Sequence, residues 1–268
     1  MGETRYREYP IHPNVASFVK CIWSLESDQA IYDAAQERIL PDGCVELVFH
    51  FHDPFCTHFA NGESSVQPHS FVVGQMNRFI EIEPRGQIGF VAIRLHAHGA
   101  YRFLPGSLKA VTTGVVDLAN VWKKTHAEWS DCVASAITMS NRVAAVENLL
   151  LRALRSGRGP DRIVDQCLRL IEMHSGELRI AHLASELGAS TRELDRRFEN
   201  AVGLSPKEFS RVSRFRHALH QLRAKRYKSL TETAVACGYY DQAHFNHDFL
   251  EFAGMAPGEL FTHPNIAF

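Results

Sequence analysis

Apolar positions along the chain change their period once, and the change divides it. Up to about Leu95 they fall in short runs rich in β-branched and aromatic residues: Glu46–His52, Ser70–Gly74, Phe79–Glu83 and Ile88–Leu95. These runs partly alternate and are separated by Pro, Gly and Asn, the signature of a small antiparallel sheet or barrel. From Val115 the spacing lengthens, and Val143, Val146, Leu149, Leu150, Ala153 and Leu154 fall on one face of a helix. Arg155-Ser-Gly-Arg-Gly-Pro160 then gathers helix breakers between two amphipathic runs. The expected layout is a first domain over 1–156, with its sheet to about 97 and helices over about 98–156, a linker over 157–160, and a second domain over 161–268. Beyond Pro160 short helices follow one another, with apolar faces at Ile163, Cys167, Leu170 and Ile171, at Leu183, Ala184 and Leu187, and at Phe209, Val212, Phe215, Leu219 and Leu222. The fold class predicted is α+β in two domains: an antiparallel, barrel-like β domain with trailing helices, then an all-α domain.

The helical half contains an internal repeat. Leu183-Ala184-Ser-Glu-Leu187-Gly188 overlays Thr233-Ala234-Val-Ala-Cys237-Gly238 at an offset of 50, and one extra residue in the second turn raises the offset to 51. At that offset Leu194 meets Phe245, Phe198 meets Phe249, Gly203 meets Gly254, and Ser205-Pro206 meets Ala256-Pro257. Each copy reads as helix, glycine, short turn, capping residue, helix. Gly188 and Gly238 stand where a helix ends in a positive φ, which glycine adopts at low cost. Ser190 or Thr191, and Asp241 in the second copy, are placed to cap the helix that follows. This is the helix-turn-helix layout, twice, with one long helix between.

Residues four apart, Leu194 with Phe198 and Phe245 with Phe249, should face the core. Arg192, Asp195 and Arg196 in one copy, and Gln242, Ala243, Asn246 and His247 in the other, are then turned outward. Arg matches the acceptors of guanine, and Asn or Gln those of adenine, so these faces can read base edges in a major groove. A solvated helix carries the same residue types; two copies at one spacing are what favour DNA.

Charge adds to this only locally. The chain of 268 residues has a formal net charge of -1, yet between Pro206 and Lys228 eight basic residues stand against Glu208 alone. Six cysteines are scattered without a C-x-x-C pair, as expected of reduced thiols. No stretch has the ~18 uninterrupted apolar residues of a spanning helix, and the first residues offer no leader peptide, so a cytoplasmic protein without membrane association is expected.

These motifs together resemble the C-terminal domain of the AraC/XylS family of bacterial transcription regulators. The residues that carry the likeness are Leu183–Phe198, Gly203-Leu-Ser205-Pro206 and Gly238–Phe249, with Gly254 and Pro257. The resemblance implies that a helix matching about Pro206–Lys225 holds two readers in successive major grooves. It places Arg192, Asp195 and Arg196 on bases in the first reader, and Gln242, Ala243, Asn246 and His247 in the second. Thr191, Arg197, Lys225, Arg226 and Lys228 are the expected phosphate contacts, since Arg211, Arg214 and Arg216 can pair with acids inside the domain. The chain departs from the family after Phe249, where a basic pair is replaced by Leu250-Glu251. It departs again after Pro257, where Leu260-Phe261-Thr262 replaces an aromatic followed by Arg, and His247 stands where Arg is common. A weaker phosphate grip at the second unit is implied.

Arg38-Ile-Leu-Pro41-Asp42-Gly43-Cys44-Val-Glu46-Leu47-Val-Phe49, with Trp23 and Phe103-Leu-Pro105-Gly106, resembles an N-terminal domain found fused to AraC-type readers. That likeness implies a cupin-like sensing domain and helices used for dimerisation, although Leu40–Gly43 alone reads as a tight turn into a buried strand. His50-x-His52 and His96-x-His98 would each put two imidazoles on one strand face, the ligand spacing of metal cupins. No Glu follows His52 within several residues and a third ligand is missing, so His50, His52 and His96 are read as pocket candidates, with no metal or other cofactor. The expectation is a non-enzymatic, sequence-specific transcription regulator whose partners are double-stranded DNA, a second copy, a small-molecule effector and, as a candidate, RNA polymerase. The rivals are a metal-dependent cupin enzyme fused to a DNA-binding domain and a DNA-repair alkyl acceptor, the latter disfavoured by the lack of a zinc-type cysteine cluster.

Overall fold

The computed structural model describes residues 3–32, 34–112, 114–122, 126–261 and 266–267. Its first half holds the strands β1 (Thr4–Tyr9), β2 (Val19–Ile31), β3 (Glu37–Ile39), β4 (Val45–His50), β5 (Cys56–Phe59), β6 (Ser64–Val66), β7 (Ser70–Val73), β8 (Ile80–Glu83) and β9 (Gly86–Leu95). Helix α1 (Ala97–Phe103), strand β10 (Val115–Asp117) and helices α2 (Leu118–Trp122), α3 (His126–Ala134) and α4 (Met139–Ser156) follow. Two sheets form, in the orders β1-β2-β9-β4-β7-β10 and β3-β8-β5-β6, and every pairing within these runs is antiparallel. The two sheets face each other without closing into a ring. The β1 edge is left exposed along nearly its whole length and carries Arg5, Arg7 and Glu8, charges that discourage edge pairing.

The central strands are buried on both faces, which is why their sequences read as nearly continuous apolar runs. Val91, Ile93 and Leu95 of β9, with Val45, Leu47 and Phe49 of β4, pack against the helices α1 to α4. Their neighbours Ile88, Phe90 and Ala92, with Val48, look the other way, toward Ile82 of the second sheet and Phe55 just before β5. The expected helical stretch from about residue 98 is interrupted at β10, whose Val115–Asp117 pair with Phe71–Val73 of β7. Three residues are too few to show a period.

The second half is helical: α5 (Arg162–Met173), α6 (Ile180–Glu186), α7 (Thr191–Val202), α8 (Pro206–Arg223), α9 (Leu230–Ala236), α10 (Gln242–Ala253) and α11 (Pro257–Leu260). Side-chain caps start most of these helices, with Asp161 accepting from the Val164 N–H and Ser229 from that of Glu232. Pro206 fits the first turn of α8, and Ser205 and Glu208 cap each other reciprocally there. The last described strand, β11 (Ile266–Ala267), returns to lie parallel to β3 at the edge of the second sheet.

The two halves share packing. Leu40, 5% exposed, belongs to the same core as Phe209, Phe215 and Phe249, and Phe79 and Tyr101 lean on that core. Arg38 donates to the Ala253 carbonyl at 2.8 Å while pairing with Glu81 at 2.7 Å. The Thr112 hydroxyl donates to the Gly203 carbonyl at 2.8 Å. A Cβ on Gly203, whose φ is +104°, would come within 2.6 Å of that hydroxyl oxygen, so glycine is needed there on two counts.

Candidate nucleic-acid interface

The repeat read in the sequence is the repeat in the fold. Helices α6 and α9 lie 50 residues apart, and α7 and α10 lie 51 apart. Gly188 and Gly238 take φ values of +65° and +73° and close the first helix of each unit. Ser190, and not Thr191, caps α7 by accepting from the Glu193 N–H, and Asp241 caps α10 by accepting from the His244 N–H at 2.7 Å. Leu194, Phe198, Phe245 and Phe249 are fully buried. Helix α8 holds both units through ring contacts, Phe209 to Phe198 at 5.7 Å and Phe215 to Phe249 at 4.8 Å between centroids. Two short capped helices are thereby presented by one rigid rod.

The outward faces differ in how free they are. On α7, Arg192 and Arg196 are exposed and Asp195 is half-buried. Among the described residues none of these three side chains makes a hydrogen bond or ion pair. Thr191 is exposed at the first turn. Arg197 is turned back, meeting Asp161 at 2.7 Å and Glu193 at 3.2 Å, which ties α7 to the start of α5. On α10, Ala243 is exposed, but Gln242 Oε1 accepts from the Thr231 hydroxyl at 2.6 Å and Asn246 is half-buried, with a buried Oδ1 that no described donor reaches. His247 is exposed, its Nδ1 3.9 Å from Glu251.

The basic field sorts in the same way. Arg211 bonds the fully buried Asp248 at 2.6 Å and Glu251 at 2.5 Å, clamping α8 to α10. The bond from Arg211 holds the Glu251 carboxyl below its ordinary range. Arg214 donates to the Gly176 carbonyl and lies over Tyr239, and Arg216 pairs with Glu172 at 3.0 Å. Lys225, Arg226 and Lys228, in the turn after α8, are exposed. Arg192 and Arg196 of α7 are exposed cations as well.

Sequence reasoning passed over Tyr240. It is 91% exposed beside the α10 cap, while its neighbour Tyr239 is 4% exposed. The tandem Tyr-Tyr was the available signal, since only one of two adjacent side chains can turn into the core. The pairing of Arg197 with Asp161, 36 residues away in the chain, was also missed, whereas Arg211 meets acids inside the domain as expected.

The three pocket histidines are not brought together. His50 ends β4 between the sheets, ringed by Phe55, Phe71 and Phe90 with centroids 5.5 to 5.7 Å away, and its Nε2 lies 3.0 Å from Gln67 Oε1. His52 lies beyond the end of β4, out of the alternation expected to align it with His50. His96 and His98 sit at the start of α1, not on a strand, and stack on each other at 5.5 Å. Since β4 and β9 run antiparallel with Val45 opposite Leu95 and His50 opposite Phe90, the two histidine pairs lie at opposite ends of the sheet. Among the described residues the three-member group of metal-ligating type is His247, Asp248 and Glu251, and both its carboxylates already serve Arg211.

Residues 183–263 match a family described as a helix-turn-helix domain. The double helix-turn-helix of the fold and this match coincide in residues. The helix-turn-helix match supports DNA binding by this part of the chain. Of the residues read as departing from the AraC/XylS pattern, Thr262 lies outside the described residues. Residues 7–117 match a domain of unknown function, DUF6597. Among solved structures, ToxT from Vibrio cholerae in a 1.65 Å structure is similar at 12% identity and a TM-score of 0.48, over 97% of this chain and 98% of that one. ToxT bound to (E)-4-(8-methylnaphthalen-1-yl)but-3-enoic acid is similar at 13% identity and a TM-score of 0.46, again over 97% and 98%. No curated protein matches the chain.

Proposed function

We propose that the chain regulates transcription as a cytoplasmic, non-enzymatic protein in which residues 1–156 sense a small effector and pair two copies, residues 157–160 link, and residues 161–268 read DNA. The observation that carries the DNA-reading part is the pair of capped helices α7 and α10, presented by α8 with their polar faces outward. Arg192, Asp195 and Arg196 read bases from α7, and Gln242, Ala243, Asn246 and His247 read them from α10. Lys225, Arg226 and Lys228 hold phosphates together with Thr191; Arg197 joins them from the edge of its carboxylate pair. Because Arg192 and Arg196 are unengaged while Gln242 is bonded and His247 faces Glu251, α7 supplies most of the affinity. Dimers form through the N-terminal helices, so the effector acts by changing whether two helix-turn-helix domains engage paired half-sites, and RNA polymerase is a further partner.

A gel shift on the DNA upstream of the chain's own coding sequence tests this. Arg196→Ala is expected to relax preference at one base position at a cost of about 1–3 kcal/mol, whereas Lys228→Ala weakens all sequences alike and flattens the salt dependence. Equal losses on every sequence for both variants would overturn the assignment of α7 as a reader.

A further inference from the structure

We propose that the N-terminal helices carry a binding site for a small carboxylate with a flat apolar body, in a cleft between the end of α1, the helices α2, α3 and α4, and the linker. The inference rests on the effector-controlled reading above and gives the effector a place and a chemistry. The cleft has a volume of about 410 Å³, within the ~300–1,000 Å³ range of small-molecule sites. One wall is an indole stack: Trp122 and Trp129 lie 4.2 Å apart at 25°, and the Trp122 N–H donates to the Phe103 carbonyl. Leu149 adds apolar surface beside them. A flat hydrocarbon or aryl group would extend that stack.

The polar side of the cleft is cationic. Arg102, Arg152 and Arg158 line it with one acid, Glu128, which is already bonded to Arg152 at 2.5 Å. Among the described residues Arg102 and Arg158 form no ion pair; they rest on ring faces, Arg102 over Phe18 at 5.0 Å and Arg158 over Tyr101 at 4.5 Å. The Nε of Arg102 is buried and without a hydrogen-bond partner. A buried donor left without a partner beside an apolar cleft is the arrangement a carboxylate completes. Arg102 and Arg158 among the lining residues, with an apolar wall of Trp122, Trp129 and Leu149, suit a single negative charge carried on an apolar body. Arg158 belongs to the segment joining α4 to α5, so an occupant bound to it also constrains the link between the two halves.

Calorimetric titration of the full chain with indole-3-acetate and 2-naphthoate, each beside its neutral amide, tests the site. Both acids are expected to bind, with the amides at least about tenfold weaker, the size of one charge-assisted contact. Arg158→Gln is expected to lower acid affinity by a similar factor and leave amide affinity unchanged, which also shows that the cleft is still folded. Arg102→Gln should act in the same direction. Acids and amides binding alike, an unchanged acid affinity in Arg158→Gln, or no binding of either acid at millimolar concentration would overturn the proposal. The same preparations are run on upstream DNA: a chain that shifts DNA and binds no acid disproves the cleft alone, and one that does neither counts against the regulator as well.

Discussion

Single residues show most directly where the chain stakes its stability. Asp248 is fully buried and its charge is met by Arg211, which also holds Glu251. Removing one partner of such a pair strands the other in a poorly solvating interior. Arg211→Ala is therefore expected to cost about 3–5 kcal/mol in chemical denaturation of the full chain, far more than loss of the exposed Arg226. His50 makes the opposite case, an imidazole kept neutral. Burial pulls it down to about 4, against partial support from its bond to Gln67. The unfolded chain takes up this proton near pH ~6.5, so between about 6.5 and 4 it binds more protons than the folded one. The stability due to neutral His50 is complete above that window and is lost as pH falls through it. Denaturation midpoints followed from pH 7 to 4 should decline less steeply in His50→Leu than in the parent chain; parallel declines would exclude His50 as a source. That Arg211 would meet acids inside the domain was legible, though not which ones; the neutral burial of His50 was not, because its spacing from His52 was read on a strand that ends at His50, two residues short of His52.

Elements were legible where one strong pattern ruled them. Strands β4, β7, β8 and β9 announced themselves as apolar runs because they are central or face the other sheet. Strand β1 did not, since Thr4–Tyr9 is an exposed edge of alternating charge with no buried face to mark it. Strand β2 is long but irregular, with register shifts between Val19 and Cys21 and between Glu26 and Ala30 that break its period of two. Helix α1 has no capping side chain, so nothing in the sequence marks where β9 gives way to it. The two helix-turn-helix units were legible almost to the residue because each boundary carries its own chemistry: a positive-φ glycine, a capping side chain, and apolar pairs four apart. The turn Leu40–Gly43 was read as a lead into a strand, which it is, yet its main contact is long-range. Leu40 fills the core of the helical half, and a Cβ on Gly43 would come within 3.0 Å of Arg216 Nη1. Leu40→Ala should destabilise the full chain by about 2–5 kcal/mol, as for other buried leucines. The thermal melt would then separate helical loss from sheet loss; a melt identical to that of the parent chain would show that Leu40 couples nothing.

At the scale of the whole molecule, a β domain braced by helices holds the helical domain through Leu40, Arg38 and Thr112 and touches α7 through the Lys109–Glu199 ion pair and α10 at Ala253, while Arg192, Arg196 and His247 stay exposed. The general outline, sheet first and double reader second, could be read from period and repeat. The grip between the halves could not, because it is made of single residues distant in the chain. Nor could the cleft beside Trp122 and Trp129, which exists only once four helices and the linker meet. The central claim is that one chain engages DNA through two readers of unequal strength. Hydroxyl-radical footprinting of the full chain on its upstream DNA tests it most directly. Two protected segments about one helical turn (~34 Å) apart per half-site are predicted, with Arg192→Ala and Arg196→Ala weakening the whole footprint and Gln242→Ala and Asn246→Ala mainly thinning one segment. A single protected segment per half-site, or a footprint that survives the α7 changes and is lost with the α10 changes, would contradict it.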